Sequence, residues 1–193
     1  MTGSWFDAGL IRAIVCGLVA AGIVHIGATL ATPYMVGPSP YQRISEHLPV
    51  NNLIVTGTPT PSSQLIPYQE ADMLFAVCSY DASRAPVAVR AVLPGSGWTL
   101  SLYNPAGDNF YVLPGRDQRL TEINALLAIA SDETVMPVDA RPGTPRPTIV
   151  RLAEPSGLLV IRGPLRGEAF RAETEAVLAR ASCARLRQPA SSG

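Results

Sequence analysis

The chain has 193 residues, room for one domain of about 100 to 150 residues with its own core plus an appendage. Its 15 basic residues, all arginine, balance 15 acidic ones. That parity removes the electrostatic case for nucleic acid as a partner, because a phosphate-binding face needs a surplus of cations.

From Ala13 to Ala31 the chain reads AIVCGLVAAGIVHIGATLA without a formal charge. At about 1.5 Å per residue this run spans roughly 28 Å, close to the ~30 Å hydrocarbon core, and it predicts a transmembrane helix over 13–31. A cleaved signal peptide is the competing reading, since Thr29 and Ala31 are small residues of the kind that precede a cleavage site. An uncleaved anchor is favoured because the apolar run exceeds about 15 residues and Asp7 precedes it with only Arg12 as a positive side chain. No arginine follows the span until Arg43, so the positive-inside rule predicts a cytoplasmic 1–12. The expectation is a bacterial inner-membrane protein that crosses the lipid bilayer once and carries a periplasmic C-terminal domain. Gly9, Ala13, Gly17 and Ala21 recur every fourth residue, a ridge that suits self-association or packing on a partner helix. The plainer reading is that Gly and Ala are simply common here. His25 has no charged companion in the span and reads as an interfacial or satisfied side chain; Cys16 reads as an apolar filler.

Residues 32–67 are rich in Pro, Ser, Thr, Asn and Gly, with Pro33, Pro38, Pro40, Pro49, Pro59, Pro61 and Pro67 spread along them. Such spacing forbids a long helix and predicts an extended tether. Leu48 to Val55 are apolar enough to dock on the domain beyond the tether.

The exported domain is expected at 68–187. MLFAVCSY, residues 73–80, places Met73, Phe75, Val77 and Ser79 on one face of a strand and Leu74, Ala76, Cys78 and Tyr80 on the other. With two further apolar runs, up to Leu113, it predicts an antiparallel meander. Asn104-Pro105-Ala106-Gly107 has the residues of a type I turn, so GWTLSLYN should fold back on DNFYVL as a hairpin. Within 117–133, TEINALLAIA fits either a helical stripe or a short buried strand, which periodicity cannot separate at this length. RPGTPRP, 141–147, reads as a surface loop. Two runs, 148–153 and 157–162, predict a second hairpin, and 167–183 an amphipathic helix lying across the sheet, with Phe170, Thr174, Val177, Leu178 and Ala181 on one side. The tail 188–193 reads as unstructured. The fold class expected is α+β: a mainly antiparallel meander or sandwich-like sheet with the C-terminal helix packed on it.

The order Tyr80-Asp81, Ala85-Pro86-Val87, Trp98 through Tyr103, then Gly107-Asp108-Asn109-Phe110-Tyr111 resembles the family called domain of unknown function 1254. It looks most like the short, membrane-anchored alphaproteobacterial members, over roughly residues 68–183. The resemblance implies a mainly antiparallel β domain in the cell envelope, a strand rather than a helix at 124–131, and no agreed activity. The longer members carry a second domain, which is not expected in this chain. Cys78 and Cys183 are the only cysteines in the part placed outside the cytoplasm, where disulfides persist, and similar chains have a cysteine at both places; a disulfide between them is expected.

Catalytic chemistry is thinly supplied. His47 is the single histidine beyond the apolar span and falls in the Pro-rich stretch, out of keeping with a nucleophile and base held in fixed geometry. Cys78, Cys183 and His47 fall short of a zinc site, no glycine-rich phosphate loop follows a strand, and no cofactor is expected. Asp81 and Asp108 are the carboxylate pair an envelope enzyme would use, although Asp is equally at home in the turns where both fall. Trp98, Tyr103, Asn109, Tyr111 and Arg116 are the candidates for a ligand or partner site, against core and cross-strand packing for the aromatic residues. The function expected is a non-catalytic binding or interaction module, with a small enzyme or a structural subunit of a membrane complex as alternatives.

Overall fold

The computed structural model describes residues 4–35, 39–57, 69–131 and 146–186. Parts of the expected tether (36–38 and 58–67), most of the expected loop (141–145) and the tail 188–193 lie outside them. The chain divides into two units, Met1–Pro38 and Ser39–Gly193.

The first unit is one helix, α1 (Ser4–Met35). Its stretch Ala8–Met35, 28 residues, is long and apolar enough to cross a membrane and has no buried side chains over its apolar window. It is longer than the expected 13–31 at both ends. At about 1.5 Å per residue it reaches roughly 42 Å, so in a ~30 Å hydrocarbon layer it would tilt or project. Thr29 and Thr32 turn their hydroxyls back onto the carbonyls of His25 (2.8 Å) and Ala28 (2.7 Å), which satisfies both donors without water. Gly9, Ala13, Gly17 and Ala21 are exposed along this helix.

The second unit begins with α2 (Pro40–Ser45). It starts where it does because Ser39 and Gln42 form a reciprocal capping box: Gln42 N–H donates to Ser39 Oγ and Ser39 N–H to Gln42 Oε1. Strands follow in chain order: β1 (Ile54–Val55), β2 (Met73–Asp81), β3 (Val87–Leu93), β4 (Thr99–Tyr103), β5 (Asn109–Pro114), β6 (Thr121–Ile129), β7 (Thr148–Leu152) and β8 (Ser156–Pro164). A 3₁₀ turn, Glu168–Phe170, leads into α3 (Arg171–Ala179), and β9 (Ser182–Arg185) comes last. They make two sheets, β1-β2-β8-β4-β5 and β7-β6-β3-β9, antiparallel except for the β6–β7 pair. The fold is α+β.

Period-two alternation explains the core. Leu74, Ala76, Cys78 and Tyr80 of β2 and Leu159 and Ile161 of β8 point inward to meet Val87, Val89, Ala91 and Leu93 of β3 and Ile123, Ala125 and Leu127 of β6. Packing against β1, β2 and β8, α3 adds Leu178 to that core and buries Thr174. The Cys78–Cys183 disulfide joins β2 of one sheet to β9 of the other, with Cα atoms 6.5 Å apart.

Four expectations change. The runs 73–113 are no simple meander: β2 and β3 belong to different sheets, and only β4 and β5 pair as neighbours. That hairpin closes through Gly107 N–H on the Asn104 carbonyl (3.0 Å), the i to i+3 bond of the expected turn. β7 and β8 form no hairpin; Glu154-Pro155 is a corner where the chain passes from one sheet to the other. The C-terminal helix stops at Ala179, so Cys183 lies on a strand paired with β3, where its register partner is Val89. The 32–67 stretch is no uniform tether either, since helix continues to Met35 and 39–57 docks on the first sheet. Residues 121–129 are a strand, as the resemblance implied.

Candidate functional site

The outer face of the first sheet carries a second, smaller apolar cluster. Strand β8 is central, and its register sets three rows across the sheet: Phe75–Arg162–Thr99, Val77–Val160–Ser101 and Ser79–Leu158–Tyr103. Phe75, Val77, Leu158 and Val160 are buried there under Leu48, with Tyr41 and Ile44 of α2 packed against them. Asn51 fastens this cover: its Nδ2 donates to the Asp81 carbonyl (3.0 Å), its Oδ1 accepts the Asp81 N–H (2.9 Å), and its own N–H donates to the Ser79 carbonyl (2.7 Å).

The cover is incomplete. Between α2 and the β4–β5 hairpin it leaves a groove of about 300 Å³, walled by Tyr41, Ile44, Phe75, Tyr103, Leu158 and Val160. Asn104 and Gly107 lie at its hairpin end and Arg162 at the other. From Leu158 to Arg162 along β8 is roughly 14 Å at about 3.4 Å per residue. Among the described residues of the lining, Arg162 is the charged one. Its guanidinium lies over the Phe75 ring, 5.6 Å from the centroid, and Nη2 donates to Glu70 Oε2 at 2.8 Å. A second recess, about 200 Å³, lies where Trp98, Pro94 and Pro164 meet Arg166, Phe170 and Glu173.

The candidate residues do not converge. Tyr103 lines the groove, whereas Tyr111, opposite the inward Leu102, packs on the inter-sheet core. Trp98 is buried in that core, its ring close against Gly163, and borders the second recess. Asn109 and Arg116 are exposed, and Arg116 forms an isolated bridge with Arg119. A register shift between Leu102 and Tyr103 sets Asn109 opposite the outward Tyr103 and Tyr111 opposite the inward Leu102, while Trp98 and Arg116 lie outside the strands.

Asp81 and Asp108 serve their own turns. Ser83 N–H donates to Asp81 Oδ1 (2.8 Å), and bonds from Ser83 hold the Asp81 carboxyl below its ordinary range. Asp108 Oδ2 accepts from Asn104 Nδ2 (3.0 Å), while Asp108 N–H donates to Asn104 Oδ1 (2.8 Å). Burial, and then the fields of Tyr41 and Glu154, push the Tyr80 phenol well above its ordinary value; its hydroxyl points at the Tyr103 carbonyl, 3.4 Å away. Among the described residues no group of three or more His, Cys, Asp or Glu is placed to hold a metal ion.

Fold and site together define a two-sheet α+β domain with an apolar groove on one outer face, in a chain whose N-terminal helix is fit to span a membrane. No protein-family model and no curated protein matches the chain. The VPA0106 protein from Vibrio parahaemolyticus shares the fold, with a TM-score of 0.53 at 14% identity, over 74% of this chain and 32% of that one. An uncharacterised protein from Burkholderia cenocepacia aligns with a TM-score of 0.40 at 11% identity, over 63% of this chain and 34% of that one. The chain therefore spans about a third of the length of the structures it matches.

Proposed function

We propose that this is a single-pass inner-membrane protein, N-terminus in the cytoplasm, whose exported β-rich domain is a non-catalytic module binding an apolar ligand in the cell envelope. We also propose that it is a short relative of the domain of unknown function 1254 family, on the motif order from Tyr80 to Tyr111. The groove between α2 and the β4–β5 hairpin carries the binding reading: it is concave, apolar and walled by aromatic residues, with the Arg162 cation to orient a ligand. The Cys78–Cys183 disulfide supports an oxidising compartment for the domain beyond the apolar helix. With Asp81 and Asp108 each committed to a local turn, binding is favoured over carboxylate catalysis.

Topology is tested by alkaline phosphatase fused after Gly193, which should be active in cells. An active cytoplasmic reporter at that position would reverse the orientation. In the same cells, maleimide should label neither Cys78 nor Cys183 until a reductant and a denaturant are added.

A further inference from the structure

The groove has the chemistry of a site for one acyl chain with one negative charge. We infer that its ligand is a fatty acid, lying along β8 with its carboxylate at Arg162. This deepens the binding reading above and rests on it.

Size and polarity select the chain. About 300 Å³ is at the low end of ligand pockets, roughly 300 to 1,000 Å³, which suits a single aliphatic chain better than a two-chain lipid. The floor is formed by Phe75, Leu158 and Val160, on strands β2 and β8. The central strand β8 is paired along both sides, with β2 and with β4, so the floor offers no free main-chain edge. A peptide adding as a strand needs such an edge, whereas an acyl chain needs none.

Charge sets the direction. At the hairpin end, the Asp108 carboxylate already accepts from Asn104, so an anion there would meet a like charge. At the other end the Arg162 guanidinium lies over the Phe75 ring, and one of its nitrogens is spent on Glu70. Glu70 is 57% exposed and free to give way to solvent, and a guanidinium fork takes a carboxylate in two parallel bonds.

The full-length protein, reconstituted in phosphatidylcholine vesicles, is irradiated with diazirine-bearing dodecanoate or the matching dodecanol, and adducts are mapped by mass spectrometry. Both membrane faces are open to the probe, so labelling does not depend on orientation in the cell, and the phosphatase fusion tests that separately. Dodecanoate adducts are expected on peptides containing Tyr41 to Ile44 and Leu158 to Val160. Arg162→Gln should weaken dodecanoate labelling about tenfold, the scale of one charge-assisted hydrogen-bonded contact, with dodecanol labelling unchanged. Arg162→Lys should retain most of it, and Val160→Trp, which fills the groove, should abolish labelling by both probes. Resistance of the buried disulfide to reductant without denaturant reports that each variant is folded. Adducts confined to Ala8–Met35, equal labelling of wild type and Val160→Trp, or equal sensitivity of both probes to Arg162→Gln would overturn the assignment. So would a groove that cross-links to a second polypeptide and excludes the fatty acid.

Discussion

Asn51 sits in the left-handed region, φ 55°, where Asn is among the few side-chain-bearing residues at ease. That conformation lets one residue clamp Ser79 and Asp81 through both backbone and side chain, and so holds the 39–57 segment on the sheet. Between those two in sequence, and on the opposite face of β2, Tyr80 shows what burial does to an ionisable group. Its folded pKa is raised, so the neutral phenol is favoured in the fold and the contribution to stability is complete below the unfolded value of about 10. It is lost as pH rises past that value toward the folded one. Urea midpoints should therefore fall above about pH 10 in the wild type and fall less steeply in Tyr80→Phe. At pH 8 the variant should cost at most about 1 kcal/mol, because the 3.4 Å bond it removes is long. Equal slopes above pH 10 would assign the alkaline loss to other groups.

At the scale of elements, α2 is the groove wall least secured by its own length. Six residues are far too few for an isolated helix, so its capping box and its contacts to Leu48, Phe75 and Leu158 hold it. Ser39→Ala removes one half of the box and should cost about 1 kcal/mol. The effect should be local: amide exchange at Arg43 and Glu46 speeds up, exchange along β8 stays unchanged, and dodecanoate labelling of the groove falls. Uniform acceleration would mean that α2 unfolds only with the whole domain. The hairpin of β4 and β5 contrasts with it. Its turn residues are contiguous and its closing bond is local, which is why it could be read directly from Asn104 to Gly107.

For the whole molecule the Cys78–Cys183 bond matters most, since it ties the two sheets across a sequence separation of 105 residues. Closing a loop of that size removes denatured-state entropy worth about 4 to 5 kcal/mol in the chain-entropy model. The double variant Cys78→Ala, Cys183→Ala should lose stability on the order of 4 kcal/mol in urea unfolding, and reductant should not destabilise it further. A loss below about 1 kcal/mol would show that packing of the sheets alone secures the sandwich. Both sulfurs are buried in the core, so reduction of the wild type should be slow without denaturant.

What the sequence determined by itself is what is local or compositional: the apolar span, the β4–β5 hairpin, and the inward faces of the strands. The pairing of Cys78 with Cys183 was also within reach, because the sequence holds only three cysteines. Tertiary structure decided the rest. Glu154-Pro155 has the same turn chemistry whether it closes a hairpin or turns a corner between sheets, and only the pairing of β8 with β2 and β4 separates the two. Residues 126–129 are apolar on both faces, so that half of the strand carries no period to distinguish it from a helix. The groove was invisible for a related reason. Tyr41, Phe75, Tyr103 and Val160 come from four distant segments, and which of them share a face is set by strand register, a property of the paired sheet and not of any one strand.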